Sequence, residues 1–331
     1  MPFIFDVFFI YKHTLINGAA SEKQFSGVAS FRTAGPHQVT SLDRLDLLKN
    51  SVQCNAGACF VRPEHKHFLS EKTLPLLCKS PWESCVTLMK AINKKISPKI
   101  LPGIHPSAWI HPTAQVPNSC SVGPFVVIEE NSVLGEGCIL ESHAVIGKSV
   151  CVGKECHIGP HVTVFHAQLG DRVHIHSGAR IGQSGFGFII TDSGPVDIPH
   201  WGKVQIGSDV VVGANTTIDR GTLEDTCIGD GTRIDNLVQV AHNVQLGCNV
   251  VLAAQTGLSG SCYVEDACIL GGQVGLAPGV HLGAGTSVAS KSGVMHASCP
   301  GAQLAGIPAM PLQKWKRQII CLRRLVSKDR E

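Results

Sequence analysis

The feature that most constrains this chain is an aliphatic residue at every sixth position from Ile104 onward. The series contains one five-residue step and is interrupted over residues 182–205. It then takes one ten-residue step, between Ile218 and Ile228, and continues in strict register to Val294. Ile, Leu and Val make up about a quarter of ordinary sequences, so chance does not produce such a series. The pattern therefore predicts a repeat architecture.

A six-residue period with one aliphatic residue predicts a parallel β-helix. Each hexapeptide supplies one short strand and one turn, three of them close a triangular coil, and coils stack about 4.8 Å apart through backbone hydrogen bonds. Only 5% of residues are aromatic and 16% are charged, while 35 are glycines, which suits a narrow interior with many turns. A net charge of +3 is too small to indicate a nucleic-acid partner. We expect the β-helix to span residues 104–300.

The cysteines predict a reducing compartment. The chain has 14 of them but no CxxC motif. Cys120, Cys138 and Cys156 are spaced 18 apart, which in a triangular coil is one stacked column of small buried thiols. His174 and His176 lie two residues apart, but no thiol or carboxylate cluster accompanies them at metal-binding spacing. We therefore predict no metal site, and we expect a cytoplasmic protein.

Residues 1–100 lack the repeat and predict a small α/β domain. Residues 41–50 have helical spacing, residues 57–65 indicate a strand running into a proline turn, and residues 76–95 indicate a strand followed by a helix. The apolar N-terminal stretch is shorter than the ~20 residues that span a bilayer. No later apolar run is long enough either, so we predict no transmembrane segment.

The interruption at residues 182–205 predicts a loop that leaves the β-helix. Its aliphatic positions would fall on glycine, serine and proline, which cannot fill a core. The loop carries Phe186, Phe188 and Trp201 in a chain poor in aromatic residues. Apolar loop residues beside a groove favour contact with a lipid or acyl chain. The alternative is a loop that packs on the wall of the β-helix.

Residues 311–331 predict a basic C-terminal helix. A capping helix with a solvated charged face is one interpretation. The other is a surface that docks an acidic protein or an anionic membrane. The cations that define this surface are Lys314, Lys316, Arg317, Arg323 and Arg324.

Several longer motifs carry more information than the repeat. They are GARIGQSGFGF, GANTTIDRGTLEDTCIGDGTRIDNLVQVAHNV, AAQTGLSGS, GGQVGLA, SGVMH and GIPAMPLQKW, all within residues 178–317. In order and spacing they resemble the UDP-3-O-(3-hydroxyacyl)glucosamine N-acyltransferases of lipid A biosynthesis. The resemblance is strong from residue 104 onward and weak before it.

The resemblance implies a left-handed parallel β-helix, assembled as a homotrimer with active sites between neighbouring subunits. It also implies an N-terminal domain that holds the uridine end of the substrate. The donor would be a 3-hydroxyacyl chain on acyl carrier protein. The acceptor would be the 2-amino group of UDP-3-O-acylglucosamine. No cofactor is implied.

The resemblance implies that His242, in NLVQVAHNV, is the general base. Imidazole titrates near neutrality, so it can take a proton from the sugar amine and return one to the departing thiol. Gly260 follows 18 residues later and should stack on the next coil. Its backbone N–H would then meet the thioester oxyanion. The alternative for Gly260 is an ordinary turn glycine.

Four polar residues near His242 are candidates for orienting the imidazole or contacting the acceptor sugar. They are Asp235, Asn236, Gln239 and Asn243. Asn and Asp are also common turn residues, so a purely structural role is the alternative for them.

The chain departs from the family pattern in two places. The family has a second histidine where register places Gly279, and His281 lies two residues further on as a possible substitute. Between Val39 and Cys59 we find no aromatic stretch of the kind with which the family binds uridine. These departures keep open a catalytically weak divergent scaffold. A further alternative is another hexapeptide-type acyl- or acetyltransferase of nucleotide sugars that uses coenzyme A.

Overall fold

The computed structural model divides the chain into two compact units, Met1–Lys99 and Ile100–Glu331. The residues that the structure describes are 4–6, 9, 10, 12, 23–44, 54–96 and 100–328.

The first unit is built on a four-stranded parallel sheet whose strands follow one another in chain order. Its third strand is buried along its whole length, and a helix packs its apolar residues, such as Leu88, into the same core. The elements are β1 (Phe5–Asp6) and β2 (Gln24–Phe25), which pair antiparallel, then β3 (Gly27–Val28), β4 (Gln38–Leu42), β5 (Ala58–Val61), a 3-10 helix (Pro63–Phe68), β6 (Leu74–Leu77) and α1 (Pro81–Ile96).

The strand and proline turn predicted for residues 57–65 are confirmed, as are the strand and helix predicted for residues 76–95. The helix predicted for residues 41–50 is wrong where the structure describes it. Ser41 and Leu42 belong to β4, and Leu42 is fully buried, because sheet packing outweighs the local helical spacing. Residues 45–50 lie outside the described residues.

The second unit is a triangular parallel β-helix with three faces. Face 1 contains β8 (Trp109–Ile110), β10 (Val127–Ile128), β13 (Val145–Ile146), β16 (Thr163–Val164), β19 (Arg180–Gln183), β24 (Thr217–Asp219), β27 (Gln239–Val240), β30 (Gly257–Leu258), β33 (Gly275–Leu276) and β36 (Gly293–Val294). Face 2 contains β11 (Val133–Leu134), β14 (Cys151–Val152), β17 (Ala167–Leu169), β22 (Val204–Ile206), β25 (Thr226–Ile228), β28 (Gln245–Leu246), β31 (Tyr263–Val264) and β34 (His281–Leu282).

Face 3 has twelve strands, of which the last pairs antiparallel to its neighbour. They are β7 (Gly103–Ile104), β9 (Ser121–Val122), β12 (Ile139–Leu140), β15 (His157–Ile158), β18 (His174–Ile175), β23 (Val211–Val212), β26 (Arg233–Ile234), β29 (Val251–Leu252), β32 (Ile269–Leu270), β35 (Ser287–Val288), β37 (Gln303–Ala305) and β38 (Met310–Pro311). The expected fold class is confirmed: a mainly β chain that forms a parallel β-helix of hexapeptide repeats and carries a C-terminal helix.

The pairing register explains every irregularity in the sequence period. In regular coils a residue pairs with the one 18 positions later, as Val127 does with Val145. On face 1 Thr217 pairs with Gln239, 22 positions on, so the ten-residue step adds four residues at a corner and leaves the strands in register. The residues of the interruption at 182–205 are also added between strands, and the aliphatic residues on either side still pair.

The aliphatic residue of each hexapeptide and the residue two places before it both point inward. The second set includes Cys120, Cys138 and Cys156, which are fully buried. Their thiols donate to carbonyl oxygens of the adjacent coil, for example Cys138 Sγ to Gly153 O at 3.1 Å. The prediction of a column of buried thiols is confirmed.

At the corners of the β-helix, the third residue after the aliphatic one adopts a left-handed backbone conformation with positive φ. Asn243 has φ 60° and Ala267 has φ 56°, and most corners use residues other than glycine. Side chains at this position therefore tolerate a conformation that isolated L-residues avoid.

The predicted loop at residues 182–205 contains an antiparallel hairpin, β20 (Phe188–Thr191) and β21 (Gly194–Asp197). The chain leaves face 1 at Gly182, with φ 80°, where a β-carbon would lie 1.6 Å from the carbonyl oxygen of Phe165. Only glycine fits so close to the backbone. The chain returns to face 2 in β22.

The second unit ends in α2 (Leu312–Lys328). Trp315 packs on the backbone of Gly306, where a β-carbon would lie 2.6 Å from the Trp315 ring. Within the described ranges, none of the helices has the length and apolar character needed to cross a membrane.

Candidate active site

A groove of ≈ 1030 Å³ runs along face 1 at the corner that leads to face 2. Five successive strands of face 1 contribute to it, β19, β24, β27, β30 and β33, together with the start of the loop at residues 182–205, called the excursion below. Its lining includes Gln183, Gly185, Phe186, Asp219, Gln239, His242, Gly260 and Gly279. The groove therefore brings together residues that are up to 96 positions apart in the sequence.

The hydrogen bonds of Asn243 fix the tautomer of His242. The Asn243 amide nitrogen donates to the carbonyl oxygen of Glu224 at 3.1 Å, and its Oδ1 accepts the N–H of Thr222 at 3.1 Å. Oδ1 lies 2.9 Å from His242 Nδ1. Because this oxygen can only accept, Nδ1 of the neutral ring carries the proton. Nε2 of His242 is then the basic nitrogen.

The ten-residue step supplies the groups that hold this arrangement. Its four additional residues bulge outward between β24 and β25, and the bulge contains Thr222 and Glu224. The Thr222 hydroxyl also lies 3.4 Å from His242 Nδ1, and the Asn243 N–H donates to Thr226 Oγ1 at 2.9 Å. The irregular step is therefore a built support for the His242–Asn243 pair.

Two glycines leave room around the imidazole. A β-carbon at Gly260 would lie 2.7 Å from His242 Nε2, and one at Gly185 would lie 2.9 Å from His242 Cβ. Both contacts are closer than real β-carbons make, so neither position accepts a side chain unless His242 moves. Gly260 thus lies directly beside the basic nitrogen, as 18-residue stacking predicts.

The backbone N–H of Gly260 is available to a ligand. Gly260 is the second residue after its aliphatic position. At the equivalent corner positions of Ser208 and Cys248 the N–H donates to an aspartate carboxylate, at 2.7 Å in each case. For Gly260, no acceptor exists in the described part of the chain. An N–H of this kind can stabilise an oxyanion.

A buried carboxylate, Asp219, lies in the wall of the groove and is only 4% exposed. Its two oxygens accept hydrogen bonds from amide groups, Gln183 Nε2 at 3.0 Å and Gln239 Nε2 at 2.8 Å. The Thr217 hydroxyl donates to the side-chain oxygen Oε1 of Gln239. This hydrogen bond turns the Gln239 amide nitrogen toward Asp219. Burial raises the pKa of the Asp219 carboxyl.

A second histidine ring contacts His242 from the excursion. His200 is 5% exposed, and its ring centroid lies 5.4 Å from that of His242 in an edge-to-face arrangement. His200 Nδ1 donates to the carbonyl oxygen of Ile198 at 2.9 Å, and its buried Nε2 has no partner among the described residues.

The sequence motifs do not by themselves identify Asp219, His200, Gln183 or Thr222 as site residues. The ten-residue step was a signal for Asp219 and Thr222, because it marks a place where the regular repeat is broken. Nothing in the period locates His200 or Gln183, since the excursion has no register.

Some of the predicted site residues do not meet His242 within this chain. Asp235 and Asn236 lie at the corner between faces 3 and 1, where Asn236 Oδ1 accepts the N–H of Ala214 at 2.7 Å. Together with His176 they line a separate groove of ≈ 410 Å³. The idea that Asp235 or Asn236 orients the imidazole is therefore wrong within one chain, where Asn243 does so.

His281 does not take the place of a second histidine in the groove of this chain. It lies on face 2, where Nε2 is 2.8 Å from Glu265 Oε1 and the ring makes an edge contact with Tyr263. Gly279 does line the groove, and a β-carbon there would meet nothing within 4 Å. The groove is therefore open at the place where the family pattern has a histidine.

Phe186 and Phe188 lie at the edge of the excursion and are 86% and 42% exposed. Phe186 lines the groove, and the two rings contact each other at 5.3 Å. The five predicted docking cations of α2, Lys314, Lys316, Arg317, Arg323 and Arg324, are all solvent-exposed.

The fold and the groove define a hexapeptide-repeat transferase. A family model described as bacterial transferase hexapeptide (six repeats) matches residues 131–166. The chain is 38% identical over 309 residues to UDP-3-O-acylglucosamine N-acyltransferase of Methylobacterium sp. (strain 4-46), covering 92% of this chain and 88% of that protein. It is 34% identical over 323 residues to UDP-3-O-acylglucosamine N-acyltransferase 2 of Rhodopseudomonas palustris (strain BisB18), covering 95% and 86%.

The chain therefore belongs to the UDP-3-O-acylglucosamine N-acyltransferase family and is an acyltransferase. Among solved structures, the UDP-N-acetylglucosamine acyltransferase of Francisella novicida matches with a TM-score of 0.50 and 24% identity, covering 65% of this chain and 73% of that one. This likeness concerns the fold alone.

Proposed function

We propose that this chain moves a 3-hydroxyacyl chain from acyl carrier protein to the 2-amino group of UDP-3-O-acylglucosamine in cytoplasmic lipid A biosynthesis. Family membership supports the reaction class and the sugar nucleotide. The observation that carries the chemistry is the tautomer of His242. Its Nδ1 proton is committed to Asn243, so Nε2 is a base beside the available N–H of Gly260.

The reaction follows from this geometry. His242 Nε2 takes a proton from the amine as the amine nitrogen attacks the thioester carbon and a C–N bond forms. The Gly260 N–H donates to the carbonyl oxygen while it carries negative charge. The C–S bond then breaks, and the imidazolium gives its proton to the departing thiolate.

The other predicted residues have binding roles in this proposal. Gln239 faces the sugar from the groove wall, and Phe186 and Phe188 contact the acyl chain. Asp235 and Asn236 contact the sugar nucleotide across the interface of a homotrimer, since their groove lies at a different corner from His242. The basic surface of α2 docks the acidic carrier protein.

The central experiment is a donor and acceptor assay with purified protein. Incubation with 3-hydroxyacyl carrier protein and UDP-3-O-acylglucosamine is expected to give the diacylated sugar nucleotide, detected by mass spectrometry. Turnover with acetyl-coenzyme A, and none with the carrier protein, would instead identify an acetyltransferase of the same fold.

His242→Ala tests the base. Loss of a general base costs about 10²–10⁴-fold in turnover. The matched control is His143→Ala, because His143 lies at a regular corner away from the groove and Ala267 already adopts the same left-handed corner conformation. Equal turnover in the two variants would remove His242 from the mechanism. Light scattering of both variants checks that the trimer persists.

A further inference from the structure

The Asp219 carboxylate is a charged group of the groove wall to which the reaction above assigns no role. Both of its hydrogen-bond donors are neutral amides, so its charge is solvated but not neutralised by them. A buried charge without a cationic partner is costly, and such groups are found where chemistry uses them.

The surrounding amides favour the ionised form of Asp219. Gln183 and Gln239 each donate an N–H, one to each oxygen, and hydrogen bonds to the charged form of a carboxyl group stabilise that form. The pKa of Asp219 is raised mainly by burial, and the two glutamine bonds and the rings of His242 and His200 oppose this effect. A positive charge that forms in the groove would further stabilise the carboxylate.

The charged and titratable groups near Asp219 leave His242 as the recipient of this charge. The Arg220 guanidinium turns away and donates to the carbonyl oxygens of Gly202 and Trp201. Asp225 accepts hydrogen bonds from Lys203 N and Gln205 Nε2 on the face 2 side.

Of the two imidazoles, His242 is the one that lines the groove. His200 is buried, its Nδ1 already donates to the carbonyl oxygen of Ile198, and its Nε2 has no partner among the described residues. His242 is half-buried beside the open groove, so it is the imidazole that a substrate in the groove can reach.

We propose that Asp219 is a positioning residue for acyl transfer, whose carboxylate stabilises the imidazolium that forms on His242. The proposal rests on His242 being the general base. The proton passes from the amine nitrogen to His242 Nε2 and then to the thiolate, and Asp219 remains ionised throughout. Asp219 thus acts on the charge of the base without contacting the reacting atoms.

The test is Asp219→Asn, with Asp225→Asn as the matched control. Asp225 lies on the same irregular step and also binds a glutamine amide, but it faces away from His242. Two readouts are used: titration of the His242 ring by ¹⁵N NMR in the free protein, with its signal assigned by its loss in His242→Ala, and the pH profile of kcat/KM.

Asp219→Asn is expected to move the His242 midpoint and the acidic limb of kcat/KM lower by about one pH unit, a tenfold change in protonation constant. Turnover at neutral pH should fall about tenfold or more, and Asp219→Glu should restore the midpoint. Asp225→Asn should leave the midpoint in place. An unchanged midpoint in Asp219→Asn overturns the proposal, even if turnover falls.

Asp219→Ser is the second variant if Asp219→Asn does not fold, because serine removes the charge without turning an amide N–H toward the two glutamine donors. The two hypotheses fail separately. If His242→Ala retains turnover while the midpoint still moves, the general base is wrong and the electrostatic coupling stands. If His242→Ala loses turnover and the midpoint does not move, only the role of Asp219 is wrong.

Discussion

The coils from Ile104 to Ile181 and the segment from Gly182 to Val244 share one core rule but use their corners differently. In the first region the corners are solvent-facing turns, and one residue stacks on the next every 17 or 18 positions. In the second region the chain leaves the coil twice. One departure brings His200 against His242, and the other brings Thr222 against it.

In both cases the β-helix accommodates the added residues at a corner. The aliphatic residues stay in register on both sides of each addition, so the packing of the core is unchanged. The added residues are free to carry polar groups that would be excluded from the interior. The regular region therefore supplies the repeating core, and the irregular region supplies the groups that contact His242.

The largest loss of turnover is expected for Gly260→Ala, a substitution beside His242. The added β-carbon would lie 2.6 Å from His242 Cε1, so the ring must move from its position beside the Gly260 N–H, which we propose as the oxyanion donor. We expect turnover to fall about 10²–10³-fold with little change in stability. Gly272→Ala is the control, because Gly272 has the same position in its hexapeptide and its β-carbon would meet only Ala254 O, at 3.4 Å. Comparable turnover in both variants would contradict the assigned site.

The converse change is Ile158→Ala in the regular region. Ile158 is fully buried, and removing its side chain leaves a cavity that should lower the free energy of unfolding by about 2–5 kcal/mol. Chemical denaturation measures this loss. Turnover per folded molecule should remain that of the original protein, and a loss of turnover larger than the unfolded fraction would refute the division of roles.

A smaller effect is expected for Asn243→Ala. Without Oδ1 the proton of His242 Nδ1 loses its main acceptor, and the ring is free to adopt the other tautomer. We expect about a tenfold loss of turnover, the worth of roughly one hydrogen bond. Asn249→Ala is the control, because Asn249 occupies the same left-handed corner position at another coil, with φ 56°. Steady-state kinetics of both variants decides the matter.

The smallest effect concerns the pH dependence of stability in the regular region. Burial, and then the neighbouring rings of His157 and His176, lower the pKa of His174 from 6.5 to about 4. The unfolded chain binds this proton at higher pH than the folded chain. The contribution of His174 to the free energy of unfolding is therefore fully present above pH 6.5 and is lost as the pH falls toward 4. His174→Gln should make urea midpoints less sensitive to pH across this window. An identical slope for both proteins would count against this cause.

The sequence predicted the fold well because the period is long and its physical meaning is local. Each aliphatic residue must point inward, and 18 residues return the chain to the same face, so the proximity of Gly260 to His242 followed from counting. The same counting explains the failure for Asp235 and Asn236. Residues six or seven positions apart lie at different corners, although they are neighbours in the sequence.

The coil, its core and the stacked column that contains His242 and Gly260 follow from the amino-acid sequence, because they depend on a period that recurs in every hexapeptide. The surroundings of the imidazole do not follow from that period. The excursion and the ten-residue step have no period, and their ends are fixed by the coil while their paths are not. For that reason the contacts of His242 with Thr222 and His200, and the buried carboxylate of Asp219 in the same groove, were found only in three dimensions.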